Sequence, residues 1–196
     1  MTNVTTGKVR LSYVTFEKPR LSADAAPDAK PKYSVMLIIP KTDRLTMKAL
    51  RKAEKEAYEE GVSSKWGGRK PRVESTIHDG DEPKKSGDPY GPECADSWVL
   101  NASSVRPPRV VDRNRQPMDV TKVKSGDYAR VALNSFPFTG LSNGVTFGLE
   151  AVQFIEEGDP LGGGISVMDA FDDAYSDEGG DDFDDFDDED EGGMLG

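Results

Sequence analysis

Asp127-Tyr128-Ala129-Arg130-Val131-Ala132-Leu133-Asn134-Ser135-Phe136 and, shortly after it, Val145-Thr146-Phe147-Gly148-Leu149 decide the fold. Residues 127–136 and 145–155 both alternate, the second with Val145, Phe147, Leu149 and Ile155 in phase. A period of two is the pattern of a half-buried strand. Asn143-Gly144 lies between the two runs and predicts a type I′ turn, so the pair reads as an antiparallel hairpin. Working outward, residues 97–103 and 109–112 have strand character, and Lys32-Tyr33-Ser34-Val35-Met36-Leu37-Ile38-Ile39 is almost continuously apolar. That run predicts a central strand buried on both faces, ended by Pro40. Residues 8–16 place Val9, Leu11 and Tyr13 on one face and Lys8, Arg10 and Ser12 on the other, a strand whose polar face is basic.

The spacing turns helical only over 42–60, where Leu45, Ala49, Leu50, Ala53 and Ala57 form a stripe. Thr42 or Asp43 is the expected N-cap and Gly61 the expected C-cap. Residues 20–31, punctuated by Pro19, Pro27 and Pro31, read as a loop. Residues 61–96 form a long polar stretch with six glycines and four prolines, the kind of insertion that is functional or lacks structure. Five or six short strands with one inserted helix predict a mainly β chain closed into a small barrel over residues 1–160. That length suffices to bury such a core.

Charge divides the chain sharply. All 25 Lys and Arg lie at or before Arg130, against 18 acids there, giving a net +7; residues 169–196 carry 14 acids and no base. Leu161-Gly162-Gly163-Gly164 opens a Gly-rich hinge over 161–168, and a like-charge block as dense as 169–196 repels itself and predicts a disordered acidic tail. No apolar run approaches the ~18 residues of a membrane span. The start Met1-Thr2-Asn3-Val4 has no charged n-region before an apolar stretch, so a cytoplasmic protein is expected. One cysteine, Cys94, and one histidine, His78, exclude an intramolecular disulfide, a Cys-cluster zinc site and two-His metal motifs. No cofactor is expected.

The chemistry these residues favour is capture of single-stranded nucleic acid, which needs a positive groove for phosphates and aromatic rings for bases. Lys65-Trp66-Gly67-Gly68-Arg69-Lys70-Pro71-Arg72 supplies four cations, a ring and two glycines in eight residues. Lys8 and Arg10 extend the positive surface, and Arg106, Arg109, Arg113 and Arg115 form a second basic cluster. Trp66 is the expected stacking platform, with Tyr13 and Trp98 as further candidates. A tail of ~28 residues reaches roughly 30 Å as a coil, far enough to lie in a basic groove as a tethered phosphate mimic. A metal-dependent nuclease is a weaker alternative, resting on His78-Asp79-Gly80-Asp81-Glu82. An acidic chaperone or DNA mimic, with the tail itself as ligand, is the other.

Gly7-Lys8-Val9-Arg10-Leu11-Ser12-Tyr13, Tyr33-Ser34-Val35-Met36-Leu37-Ile38-Ile39-Pro40-Lys41, Leu100-Asn101-Ala102-Ser103-Ser104 with Arg106-Pro107-Pro108, and Ser125-Gly126-Asp127-Tyr128-Ala129-Arg130-Val131 resemble the single-stranded DNA-binding proteins of tailed bacteriophages. With Val145, Phe147-Gly148-Leu149 and Leu161-Gly162-Gly163, the resemblance spans about residues 7–165. It implies an OB-fold barrel and non-enzymatic, sequence-independent binding of single-stranded DNA in phage replication and recombination, in the bacterial host cytoplasm. It further implies an acidic C-terminal segment that contacts replication proteins such as a polymerase or helicase. Phe183, Phe186, Met194 and Leu195 are the apolar residues available for that contact, and a homo-oligomer is compatible with the resemblance.

Overall fold

The computed structural model describes residues 2–21, 27–140 and 143–161. The expected hinge from residue 162 and the acidic tail, with Phe183, Phe186, Met194 and Leu195, lie outside the described residues. Eight strands and one α-helix follow in the order β1 (Thr2–Thr5), β2 (Val9–Arg20), β3 (Lys32–Pro40), α1 (Arg44–Glu60), β4 (Ile77–Asp79), β5 (Ser97–Ser104), β6 (Arg109–Val111), β7 (Tyr128–Thr139) and β8 (Asn143–Glu156).

Five of these strands close on themselves. β2 pairs β3 and β3 pairs β5, both antiparallel; β5 pairs β8 in parallel; β8 returns along β7; and β7 pairs back to β2 through Val9↔Ala129 and Arg10↔Tyr128. This is the OB-type barrel, with its helix inserted between the second and third barrel strands. β1 adds to β7, β4 to β5 and β6 to β8 at the margins. Val9, Leu11, Leu37, Ile39, Leu100, Val131 and Phe147 fill the interior with 1% exposure or less. The outer face of β3 is covered as well, because Met36 and Ile38 pack with Cys94 and Val99, against which Tyr90 and Leu161 rest.

Several elements differ from expectation for identifiable reasons. In β2 the register slips between Ser12 and Thr15, and Tyr13 stands at φ 49° with 69% of its surface exposed. This bulge adds one residue, so the inward phase passes from Val9 and Leu11 to Val14 and Phe16, and Tyr13 leaves the face it was expected to share. Asn143-Gly144 is not the turn: Asn143 pairs Thr139 and Gly144 pairs Phe138, inside the hairpin. A Cβ on Gly144 would stand 2.4 Å from the Phe138 ring, so the glycine admits an aromatic neighbour instead of a tight turn. The 61–96 stretch contains a π turn (Gly61–Lys65), β4 and a short 3-10 turn (Pro92–Cys94).

Helix α1 is capped by Asp43, whose carboxylate accepts the Thr46 N–H at 3.0 Å. Thr46 in turn accepts the Gly7 N–H at 2.7 Å, which draws its side chain inward. The buried stripe is consequently Thr46, Met47, Leu50, Ala53 and Ala57, while Leu45 is 82% exposed. Gly61 does not stop the helix in the left-handed region; at φ −60° it leads into the π turn. Removing the cap by Asp43→Ala leaves the Thr46 N–H unpaired and is expected to cost about 1 kcal/mol in a urea unfolding titration, with no loss of strand content.

Candidate nucleic-acid interface

An open groove of about 1290 Å³ crosses the surface, and Tyr13, Arg72, Trp98, Tyr90, Phe138 and Lys84 are among its walls. Its wall at 72–76 is fixed to the helix: Glu54 accepts the Ser75 hydroxyl at 2.8 Å and the Thr76 N–H at 3.0 Å, and the Tyr58 hydroxyl donates to the Pro71 carbonyl at 3.0 Å. Tyr13 is lifted into the groove by the β2 bulge. Phe138 reaches it from the end of β7, 36% exposed and seated over Gly144. The groove thus carries aromatic rings together with Arg72, Lys84 and Lys85, and the carboxylates of Glu74, Asp79 and Glu82 line it as well. Rings beside cations are the combination that accepts bases and phosphates together.

Of the residues singled out by sequence, Tyr13, Arg72 and Trp98 line this groove. Trp66 does not serve as an open platform. It is 5% exposed, packed with Ala57 and Val145, edge-on to Tyr58 with ring centroids 5.3 Å apart, and its Nε1 donates to the Phe138 carbonyl at 3.3 Å. A Cβ on Gly61 would fall 2.5 Å from its ring, so that glycine exists to let the indole in. Lys65 is likewise structural in part, donating from Nζ to the Pro137 carbonyl at 2.8 Å. Trp66 and Lys65 therefore hold the strand segment that carries Phe138. Arg69 and Lys70 are exposed, following Gly67 and Gly68 at φ 60° and 77°.

Lys8 and Arg10 are engaged elsewhere. Lys8 pairs with Glu156 at 2.8 Å and lies 5.3 Å from the Tyr128 ring centroid. Arg10 donates to the Gly126 and Asp159 carbonyls at 3.2 and 2.8 Å. Arg106, Arg109, Arg113 and Arg115 are exposed around β6 and its following turn, and none of them lines the groove. The nearby Asp112 carboxylate accepts the Asn114 and Gln116 N–H groups at 2.8 Å, which commits it to its own turn. Tyr90, Lys84 and Lys85 escape the sequence reading as ligand-facing residues, and alternation within a strand leaves Phe138 open between core and stacking platform. For Phe138 the available signal was its place beside Phe136 and Pro137, past the core-phased part of β7.

The acidic motif at 78–82 is organised by a cation. Lys41 Nζ lies 2.7 Å from Asp79 and 2.6 Å from Asp81, and stands 5.3 Å from the Trp98 ring centroid, while Arg51 stands 5.0 Å from the same ring. Hydrogen bonds from Lys41 hold both carboxyls below the usual range, and the same bonds raise the Lys41 ammonium. Asp81 also accepts the Asp96 N–H at 3.0 Å. The acids thus tie β4 to its neighbours. Among the described residues no group of three or more His, Cys, Asp and Glu side chains could hold a metal ion. Cys94 is fully buried and burial raises its thiol, so it is no nucleophile in this structure.

A family model described as Enterobacter phage Enc34, ssDNA-binding protein, matches residues 2–186. Putative protein p50 of Acyrthosiphon pisum secondary endosymbiont phage 1 is 27% identical over 179 residues, covering 84% of this chain and 90% of that protein. The single-stranded DNA-binding protein from bacteriophage Enc34, solved in complex with ssDNA, superposes with a TM-score of 0.67 at 21% identity, over 82% of this chain and 89% of that one. The single-stranded DNA-binding protein gp2.5 encoded by bacteriophage T7 gives a TM-score of 0.57 at 15% identity, over 85% and 98%. These two likenesses establish the fold.

Two outcomes separate structural from surface aromatics. Trp66→Ala should cost about 3–5 kcal/mol of stability in denaturant titration, whereas Tyr13→Ala should change it by no more than about 0.5 kcal/mol. The Lys41 clamp sets a pH response. The Asp79 and Asp81 contribution is fully present above the unfolded carboxyl value of about 3.9 and is lost as pH falls through their lower folded values. The Lys41 contribution is present below about 10.4 and is lost only as pH rises through its raised folded value. Amide protection factors at Ile77–Asp79 should therefore hold across neutral pH and fall in acid, ahead of those in β3.

Proposed function

Because this chain belongs to the family of the Enterobacter phage Enc34 ssDNA-binding protein, we propose that it binds single-stranded DNA without sequence preference along the groove just described. The observation that carries the proposal is the meeting of exposed Tyr13 and Phe138 with Arg72, Lys84 and Lys85 on one barrel surface. Bases stack on Tyr13, Phe138 and the accessible part of Trp98, each contributing roughly 1–3 kcal/mol. Phosphates are neutralised by Arg72, Lys84 and Lys85, with Arg69 and Lys70 at the margin. Arg106, Arg109, Arg113 and Arg115 carry the strand beyond the groove through phosphate contact alone. The activity is binding, with no chemical step.

Coating of this kind protects and straightens a strand for copying and annealing, and we place the protein in phage DNA replication and recombination within the host cell. The acidic segment 169–196, with its 14 carboxylates, competes for the same cations. Displaced by DNA, it is free to contact replication proteins through Phe183, Phe186, Met194 and Leu195. Leu161, the last described residue, rests against the cluster beside Tyr90 and Met36, both of which line the groove.

Fluorescence anisotropy with labelled oligo-dT, comparing the full chain with one ending at Met168 at two salt concentrations, tests this. Truncation should tighten binding at low salt, the gain should shrink at high salt, and duplex should bind weakly. Tyr13→Ala and Phe138→Ala should each weaken binding about fivefold or more. Absence of binding by either chain would sink the proposal and favour the tail as a ligand for basic proteins.

A further inference from the structure

Loop 80–91 carries groove-lining groups that the free protein keeps occupied with its own side chains. Tyr90 is supported from below by the apolar cluster of Met36, Ile38, Cys94 and Val99. That support fixes the ring at low entropic cost and partly buries it, which raises its hydroxyl. Lys84 Nζ stands over the ring, 5.2 Å from its centroid. The loop holds that position through the Lys84 N–H to Asp88 carbonyl bond of 2.8 Å and the Gly87 N–H to Lys84 carbonyl bond of 2.8 Å. The next residue, Lys85, is paired with Glu74 on the facing wall. Lys84, Lys85, Tyr90 and Glu74 all line the groove.

We propose that these four residues form a one-nucleotide subsite that is self-occupied in the free protein: an incoming base replaces the Lys84 ammonium on Tyr90, and the adjoining phosphate replaces Glu74 on Lys85. The ring face and the ammonium are suited to separate partners, since a cation over a ring is held by roughly as much as a stacked base returns. Once displaced, Lys84 is a free cation beside a new phosphate, so the exchange converts one internal contact into two external ones. Glu74 is the opposing charge. The Lys85–Glu74 pair is 74% and 67% exposed at its two side chains, so salt weakens it readily and a phosphate can compete for Lys85. The ligand is one unit of a single strand, base and phosphate together, and the inference rests on the proposed function.

The test is anisotropy on the full chain with labelled oligo-dT across a salt series. Glu74→Gln should bind about two- to fivefold tighter than wild type at low salt and equally at high salt. Lys84→Met keeps the stem but removes the charge, and should lower the slope of log affinity against log salt by about 0.7. Tyr90→Ala should weaken binding about fivefold or more with Tyr90→Phe close to wild type. Because Tyr90→Ala also removes core packing, the two charge variants decide the matter. A Glu74→Gln variant no tighter than wild type at low salt, or an unchanged slope in Lys84→Met, overturns the inference. The second result also removes Lys84 from the groove's phosphate contacts, while wild-type binding of oligo-dT leaves single-strand binding itself intact. Failure of wild type to bind oligo-dT overturns the parent reading instead.

Discussion

Closure of the barrel is the constraint on which everything else depends. β2 meets β7 over only Val9↔Ala129 and Arg10↔Tyr128, and β5 meets β8 over only Ala102↔Phe147 and Ser103↔Gly148. These short seams join strands distant in sequence, so the entropy of bringing them together is offset by burying the shared core. The local hairpin is far longer than the seams: β7 and β8 pair from Tyr128↔Glu156 out to Thr139↔Asn143. The excess overhangs the barrel, and the overhang carries Phe138 to the groove. A small barrel with long arms separates the parts that must be rigid from the parts that meet a ligand.

Aromatic side chains in this protein are positioned by the absence of other atoms. Trp66 occupies the space a Gly61 Cβ would fill, and Phe138 occupies the space over Gly144. The Trp66 indole then bonds the Phe138 carbonyl, so the buried ring holds in place the strand of the exposed one. Charge follows a similar economy. Lys8, Arg10 and Lys41 do not line the groove and are engaged by Glu156, by two backbone carbonyls and by two aspartates, whereas Lys84 and Lys85, over Tyr90 and against Glu74, are held within it beside Arg72.

Much of this was legible in sequence. The period-two runs at 127–136 and 145–155, the apolar run at 32–39 and the single helical stretch at 42–60 give the barrel and its inserted helix, because each pattern is set by local burial. The bulge at Tyr13 was also written there, as the switch of apolar phase from odd-numbered Val9 and Leu11 to even-numbered Val14 and Phe16, but a phase break reads as noise until the strand is seen to continue. The site was less legible. Trp66 sits in a basic, glycine-rich stretch that suggests a ligand loop, yet which ring is buried depends on Gly61, Ala57 and Val145, which converge only in three dimensions. Tyr90, Lys84 and Lys85 belong to a polar stretch without periodicity, so their grouping is set by tertiary contacts with Met36 and Glu74.

Cys94 has a practical side. Its thiol is fully buried in the Met36, Ile38 and Val99 cluster, and burial raises it, so it is both shielded and protonated at neutral pH. Alkylating and oxidising reagents act on exposed thiolates. While the fold is intact the molecule therefore behaves toward thiol reagents as if it had no cysteine, and a thiol introduced on the surface would be the one such reagents label.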